Sequence, residues 1–345
     1  MVLVPVEEYK TLDTKKPSSE PLYLHFDFDA DLLETDDKIE EQLRQISEVI
    51  IKHSNGSGTN SNITATLLPI SPEIIPTTTE AFAQAQTPAI NNLPVSITFR
   101  QELDISFSKN NYRCIHECIK IGKKIVFTDH SYKKRVIICD VDGANVQLFP
   151  LSYAPCYITE VDTNTVAVSC SYNKIILIVN LTTGSITSTI KTSDFCWGIS
   201  YDGNNLYALV GKLLKVINMT GNVIHTILLP SVRTCGIAIH KNRLICIDKA
   251  AIYCCSLDGK LMWKFQNDKY RNLYHVTIDD DDNIYVTDRD TSTVIVVSAD
   301  GRHNREILTQ SDGLYRPTGI HFDKNENVML VCNENNRKAF LFDVI

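Results

Sequence analysis

Residues 275–343 nearly repeat themselves, and a fixed period of that kind restricts the fold more than any other feature of the chain. One copy reads His275-Val-Thr-Ile-Asp-Asp-Asp-Asp-Asn-Ile-Tyr-Val-Thr-Asp288, then Thr293-Val-Ile-Val-Val-Ser-Ala-Asp-Gly301. The other reads Gly319-Ile-His-Phe-Asp-Lys-Asn-Glu-Asn-Val-Met-Leu-Val-Cys332, then Lys338-Ala-Phe-Leu-Phe-Asp343. Each copy is an apolar strand, an Asp/Asn turn, a second strand, a polar loop and a third strand. The same grammar runs back through Trp197-Gly198-Ile199, Cys235-Gly236-Ile237 and the apolar runs 124–128, 136–143, 165–169 and 175–181. Six units of roughly 40 residues result. Asp-Gly or Thr-Gly closes the third strand of most units, a hairpin signal because glycine takes the positive φ the turn needs.

Short strands with this punctuation and no helical period predict an all-β array. A four-stranded sheet cannot bury both faces alone, so neighbouring sheets have to stack radially into a ring. The expectation is a six-bladed β-propeller over residues 95–345. The last unit ends after its third strand, and a surplus alternating stretch at 95–107 is available as the fourth, closing the ring.

The amino-terminal part differs in kind. Residues 1–34 are irregular. From Thr35 an amphipathic helix is expected to residue 53, with Thr35 or Asp36 as N-cap and Ile39, Leu43, Ile46 and Ile50 on one seam. It reads either as a coiled-coil remnant that forms a homodimer or as a helix docked on the domain. Residues 54–94 are expected to be a flexible, disordered linker, first small and polar, then proline-punctuated. Charge divides at the same boundary: residues 1–95 hold 6 basic and 15 acidic side chains, a net of −9, so the remainder of a chain of net charge −7 is near +2.

No apolar run approaches the roughly 18 residues a membrane helix needs, so no membrane association is expected. The amino terminus lacks a basic region ahead of its short apolar start. Eleven cysteines, odd in number and mostly inside strand runs, fit buried thiols in a reducing, cytoplasmic setting. On that reading the sequons at Asn55, Asn62, Asn180 and Asn218 are chance matches. Cys114 and Cys118 flank His116, but no second pair completes a zinc site, and no cofactor or metal is expected.

Pro317-Thr-Gly-Ile-His-Phe-Asp323, Asn327-Val-Met-Leu-Val-Cys332 and Lys338-Ala-Phe-Leu-Phe-Asp343 resemble the NHL-repeat propellers, and Gly198-Ile199 and Gly236-Ile237 open two more such units. Helix, linker and carboxy-terminal propeller together resemble the C-terminal part of tripartite-motif (TRIM) proteins, above all the invertebrate TRIM-like group. The RING and B-box Cys/His ladders of that family are missing from this chain. What the resemblance implies is therefore the substrate- or RNA-recognising half, in the ubiquitin pathway, without ligase chemistry of its own.

In a propeller the loops converge on the two end faces. One face collects the blade-to-blade loops and the loops joining second to third strands. The candidate partner-binding residues there are Arg113, His130, Tyr132, Lys133, Lys134, Tyr172, Lys174, Arg233, Tyr270, Arg271, Tyr274, His275, Arg289, Arg316 and Arg337. The opposite face collects turns rich in Asp, so a basic and aromatic end should oppose an acidic one. Interleaved Arg, Lys and Tyr suit a protein partner, and single-stranded RNA as the alternative. The expectation is a non-enzymatic recognition module. A metal-dependent propeller hydrolase or lyase is the rival reading, and His275, standing where other units have glycine, is its one candidate residue. The Asp279–Asp282 run is read as a β-turn, since Asp323-Lys-Asn-Glu-Asn327 fills the same place without the acids. Glu117 and Glu160 are possible channel acids, and Trp197 is read as channel filler.

Overall fold

A computed structural model describes residues 93–105, 115–334 and 336–345. The expected helix at 35–53 and nearly all of the linker lie outside the described residues. Among the described residues, twenty-four strands form six four-stranded antiparallel sheets. Blade 1 holds β2 (Ile115–Ile121), β3 (Lys124–Asp129), β4 (Arg135–Asp140) and β5 (Gln147–Pro150). Blade 2 holds β6 (Ile158–Asp162), β7 (Thr165–Cys170), β8 (Ile175–Asn180) and β9 (Ile186–Lys191). Blade 3 is β10 (Cys196–Tyr201), β11 (Asn205–Val210), β12 (Leu213–Asn218) and β13 (Val223–Ile227). Blade 4 is β14 (Gly236–His240), β15 (Arg243–Ile247), β16 (Ala251–Ser256) and β17 (Leu261–Gln266). Blade 5 is β18 (Leu273–Ile278), β19 (Ile284–Asp288), β20 (Thr293–Val297) and β21 (Asn304–Leu308). Blade 6 joins β22 (Pro317–Asp323), β23 (Val328–Asn333) and β24 (Lys338–Val344) to β1 (Ile97–Asp104).

The first strand of each blade packs beside that of the next, and β2 of blade 1 beside β22 of blade 6, so the ring closes. The core is six apolar slabs, one at each blade-to-blade seam. This explains why the second and third strands read as continuous runs of Val, Ile and Leu: both of their faces are buried. Hydroxyls stitch the seams. Thr128 donates to the Cys156 carbonyl at 2.8 Å, Ser171 to Cys196 at 2.6 Å, Thr287 to Thr318 at 3.1 Å and Thr318 to Ile115 at 2.9 Å.

The stretch read at 95–107 supplies the clasp, as expected. β1 is a single strand, antiparallel to β24, with a bulge at Arg100 that turns this side chain towards Glu326 (3.2 Å) and Asp343 (2.9 Å). Leu103 and Ile105 enter the slab between blades 1 and 6. Leu93, at the end of the stretch read as linker, packs against the slab between blades 5 and 6.

The glycines of the third-to-fourth strand turns, such as Gly143 and Gly259, have φ of +82° and +87°, as the hairpin reading requires. The Asp279–Asp282 run is a turn, as read. Asp279 accepts from the Asn283 backbone N–H (2.8 Å) and side-chain amide (2.9 Å) and from the Tyr285 hydroxyl (2.8 Å). Its charge makes structure here. At the seam between blades 1 and 6 the ammonium of fully buried Lys120 contacts Asp323 and, at 2.9 Å, Glu326. Asp142, Asp162, Asp202, Asp300 and Asp323 each accept a backbone N–H two residues on. The acids of this end are turn-makers, several with cationic partners, so the expected electrical asymmetry of the ring is muted.

Every described cysteine except the half-buried Cys235 is buried, and none is in a disulfide. Burial pushes thiols such as Cys139 and Cys254 up to about 11, which makes them packing residues. No helix among the described residues is long and apolar enough to cross a membrane.

Candidate functional site

The first strand of blades 1, 3, 5 and 6 is bulged at its start. Two residues face one across the pairing in blades 3, 5 and 6: Trp197-Gly198, Tyr274-His275 and Thr318-Gly319. In blade 1 the extra residue is His116, followed by Glu117. Such bulges re-aim side chains, here towards the mouth of the channel. Register then identifies one position in all six blades: Glu117, Tyr157, Gly198, Gly236, His275 and Gly319. The amide of each non-glycine member donates to the hydroxyl of the facing strand, Thr128, Ser169 or Thr287.

Glycine is required where the blades approach most closely. A Cβ on Gly319 would lie 2.7 Å from the Cys118 nitrogen and 2.9 Å from the Glu117 Cα. Blades 1, 2 and 5 carry Glu, Tyr and His instead, and the three side chains meet. His275 Nε2 lies 2.5 Å from Glu117 Oε1, and the other carboxylate oxygen accepts from the Ile158 amide at 2.6 Å. The Tyr157 ring stacks on His275, centroids 5.7 Å apart. Next to them the Tyr274 hydroxyl and His116 Nε2 are 2.9 Å apart, and His116 packs edge-on against Tyr157 at 4.8 Å. Among the described residues, neither His116 Nδ1 nor His275 Nδ1 has a hydrogen-bond partner, although both are buried.

Burial, with His130, His275, Arg289 and Lys249 nearby, holds His116 well below the ordinary histidine value, so its ring is neutral. Burial raises the carboxyl of Glu117, and the His275 pair pulls against that rise. Around the mouth the cations are already engaged. Arg289 lies 4.6 Å over the Tyr274 ring and 2.6 Å from Glu334, which also takes Arg316 at 3.1 Å. Lys249 is 5.0 Å over the same ring and donates to Asn272 at 2.9 Å. His130 Nδ1 faces the Pro155 carbonyl at 3.1 Å, which can only accept, so that nitrogen carries the proton and points it at Cys156 Sγ (3.4 Å) as well. The Cys156 contact, opposed by burial, raises His130.

Towards the rim lie Tyr172, Trp197 and Phe195, with centroids 5.9 to 6.5 Å apart, and Lys174 sits 5.0 Å over Phe195 and 3.4 Å from Asp194. Trp197 fills space between blades 2, 3 and 4, and it also forms the inner wall of this aromatic patch.

The sequence-predicted residues therefore separate by depth. Tyr132, Lys133, Lys134, Tyr172, Lys174, Arg233 and Arg271 are exposed on the loop end. His130, Tyr274, Arg316 and Arg337 are half-buried. Tyr270, His275 and Arg289 are buried, a correction to their reading as surface contacts: each is drawn inward by a partner, Glu306 for Tyr270, Glu117 for His275 and Glu334 for Arg289. Arg113 lies outside the described residues. His116, Tyr157 and Phe195 were not on the list. Tyr157-Ile158 stands where Gly198-Ile199 and Gly236-Ile237 stand, and that alignment would have shown it. Glu160, also in the first strand of blade 2, is exposed, and partial desolvation together with Asp323 and Asp162 raises its carboxyl.

At the far end of the channel, His321 Nδ1 accepts from the Lys120 amide at 3.3 Å, and burial lowers the ring from 6.5 to about 4. A histidine lowered in the folded state contributes stability above its unfolded value, and this contribution is lost as pH falls towards the folded one. Thermal unfolding followed from pH 6.5 to about 4 should therefore show a steeper loss for the wild type than for His321→Asn.

No protein-family model and no curated protein matches the chain. Solved structures do match in fold. A protein of unknown function from Bacteroides thetaiotaomicron is 12% identical with a TM-score of 0.61, over 73% of this chain and 76% of that one. Virginiamycin B lyase from Staphylococcus aureus is 14% identical with a TM-score of 0.54, over 73% of this chain and 100% of that one. A catalytically inactive histidine-to-alanine variant of that lyase with quinupristin is 13% identical with a TM-score of 0.52, over the same shares. At these identities the likeness is one of fold.

Proposed function

We propose that the propeller is a recognition module that seats a protein partner on its loop end. One observation carries this: among the described residues, apart from Phe99, the exposed aromatic side chains, Tyr132, Tyr153, Tyr172, Phe195 and Tyr315, all lie in the loops of that end. Exposed rings flanked by Lys133, Lys134, Arg233 and Arg271 are the composition of interface anchors. The carboxylates of the same end are largely committed: Asp129 to Arg135, Asp288 to backbone amides, Glu334 to two arginines. An NHL-type propeller acting as the recognition half of a TRIM-like protein is the finer form of the proposal, supported by the repeats at 317–343.

The test is affinity capture with the wild-type chain and a Tyr132→Ser, Lys133→Glu, Arg271→Glu variant, with and without nuclease. A partner lost on substitution and retained after nuclease supports the proposal. Loss on nuclease treatment in the wild type, with binding that weakens steeply as salt rises, favours single-stranded RNA instead. A partner unaffected by the substitutions overturns the assigned surface.

The Glu117–His275 pair supports a second reading, a lyase-type activity at the channel mouth like that named for the S. aureus protein. An imidazole held by a buried carboxylate is the arrangement of a general base. Retention by His275→Gln of any turnover found for the wild type would dispose of it.

A further inference from the structure

The turn end of the ring, opposite the site above, carries a second cluster, contributed by three successive blades. His240 and Lys241 come from the β14–β15 turn, Asp280 and Asp282 from the β18–β19 turn, and Lys324 from the β22–β23 turn. The Lys324 ammonium nitrogen is in direct hydrogen-bond contact with His240 Nδ1. Lysine only donates, so Nδ1 carries the lone pair and the imidazole proton sits on Nε2. There the carboxylates of Asp280 and Asp282 each stand 3.8 Å away, beyond hydrogen-bond reach. Asp280 is also 3.8 Å from Lys324 Nζ.

Two neighbouring cations, Lys241 of the β14–β15 turn and Arg243 of β15, are placed differently. Lys241 donates to the Asp280 carbonyl at 2.7 Å, and Arg243 to the Ala299 carbonyl at 2.6 Å, with Asp282 3.8 Å from its Nε. Carbonyl and carboxylate oxygens hold them as cations. Lys324 instead rests on the lone pair of a neutral ring, and an imidazole can take its proton. Burial lowers Lys324, assisted by Lys241 and resisted by Asp280, Asp282 and Asp279, and burial with Lys324 and Lys241 lowers His240. The lysine side chain is 32% exposed and the histidine 14%, so the lysine is the more accessible of the two.

We propose that Lys324 is a nucleophilic amine, a modification site that accepts acyl groups from acyl thioesters with His240 as its proton acceptor. The ammonium first gives a proton to His240 Nδ1, which releases it to solvent, and the freed amine lone pair attacks the thioester carbonyl carbon, so that the C–N bond forms and the C–S bond breaks. The second amine proton passes to the emptied His240 Nδ1 and from there to the departing thiolate, leaving an amide and a thiol. No further reactant is needed. The product is neutral, so acylation removes one cation from between His240 and Asp280. This inference is independent of the partner assigned to the loop end.

The experiment uses the full chain and S-acetyl-N-acetylcysteamine at limiting concentration, read residue by residue by mass spectrometry. Lys324 is expected to be acetylated at least about fivefold faster than the exposed Lys123 and Lys212, because a larger share of it is neutral amine at a given pH. His240→Asn should bring the rate down to that of the two reference lysines. Asp280→Asn, which removes an exposed carboxylate beside the ammonium, should raise it, and it keeps the test decisive if the histidine variant folds poorly. A wild-type rate no greater than at Lys123 and Lys212, or a rate that Asp280→Asn leaves unchanged, overturns the proposal.

Discussion

Replacing His275 with alanine is expected to cost about 1–3 kcal/mol of stability, the usual penalty for leaving a buried polar group without its hydrogen-bonding partner. Glu117 would keep only the Ile158 amide for its carboxylate, inside a mouth closed by Tyr157 and the blade 6 backbone. Because burial raises this carboxyl and His275 opposes the rise, the variant carboxyl moves further up. The sign follows from linkage. A carboxyl raised in the folded state favours folding while protonated, and this contribution is lost as pH climbs through the folded value. The deficit of the variant should thus be largest near pH ~7.5 and smaller near pH ~5. Adding Glu117→Gln to His275→Ala removes the stranded charge and should recover part of the loss. Urea unfolding of the three proteins at both pH values decides it. A deficit indifferent to pH, with no recovery in the double variant, would show that the two side chains are not energetically coupled.

The second large effect lies in the clasp. Leu103→Ala and Ile105→Ala are each expected to cost about 2–5 kcal/mol, because each opens a cavity in the slab that blades 1 and 6 share. Thr98→Ala, on the exposed face of the same strand, should stay within about 0.5 kcal/mol. The chain has two tryptophans, Trp197 in blade 3 and Trp263 in blade 4, away from the clasp. If the closed ring unfolds as one unit, their fluorescence will report the same shifted midpoint as circular dichroism. A shift seen by dichroism alone would mean that blade 6 opens while the rest stands. Removal of β1 altogether leaves the edge of β24 unpaired and the slab uncovered, and such a chain should aggregate.

Much of the candidate surface was legible from repeat grammar. Once second-to-third strand loops and blade-to-blade loops are assigned to one end, Tyr132, Lys133, Tyr172 and Arg271 fall there together, because strand alternation and turn position are local properties. Depth was not legible. Tyr270 and Arg289 occupy loop positions like those of exposed neighbours, yet each is drawn in by a carboxylate distant in sequence, Glu306 and Glu334. Trp197 shows the same limit from the other side, since it both fills the core and borders an exposed aromatic patch.

The near-duplicate at 275–343 shows where the division falls. By itself the sequence determined the period, hence six sheets, the closing strand from the amino-terminal side, and the dismissal of the aspartate run as a turn. These follow from hydrophobic alternation, glycine conformation and the need to cover both faces of a sheet. It also marked His275 as the exception to a glycine rule. Tyr157 breaks the same rule and is legible once Tyr157-Ile158 is aligned with Gly198-Ile199, but only the tertiary structure showed that Glu117 holds the same position and that the three exceptions touch. Blade 5 is far from blades 1 and 2 in sequence, and nothing within a blade specifies which blades meet across the channel. Ring closure does, by bringing blade 6 against blade 1 and converging all six first strands on one axis.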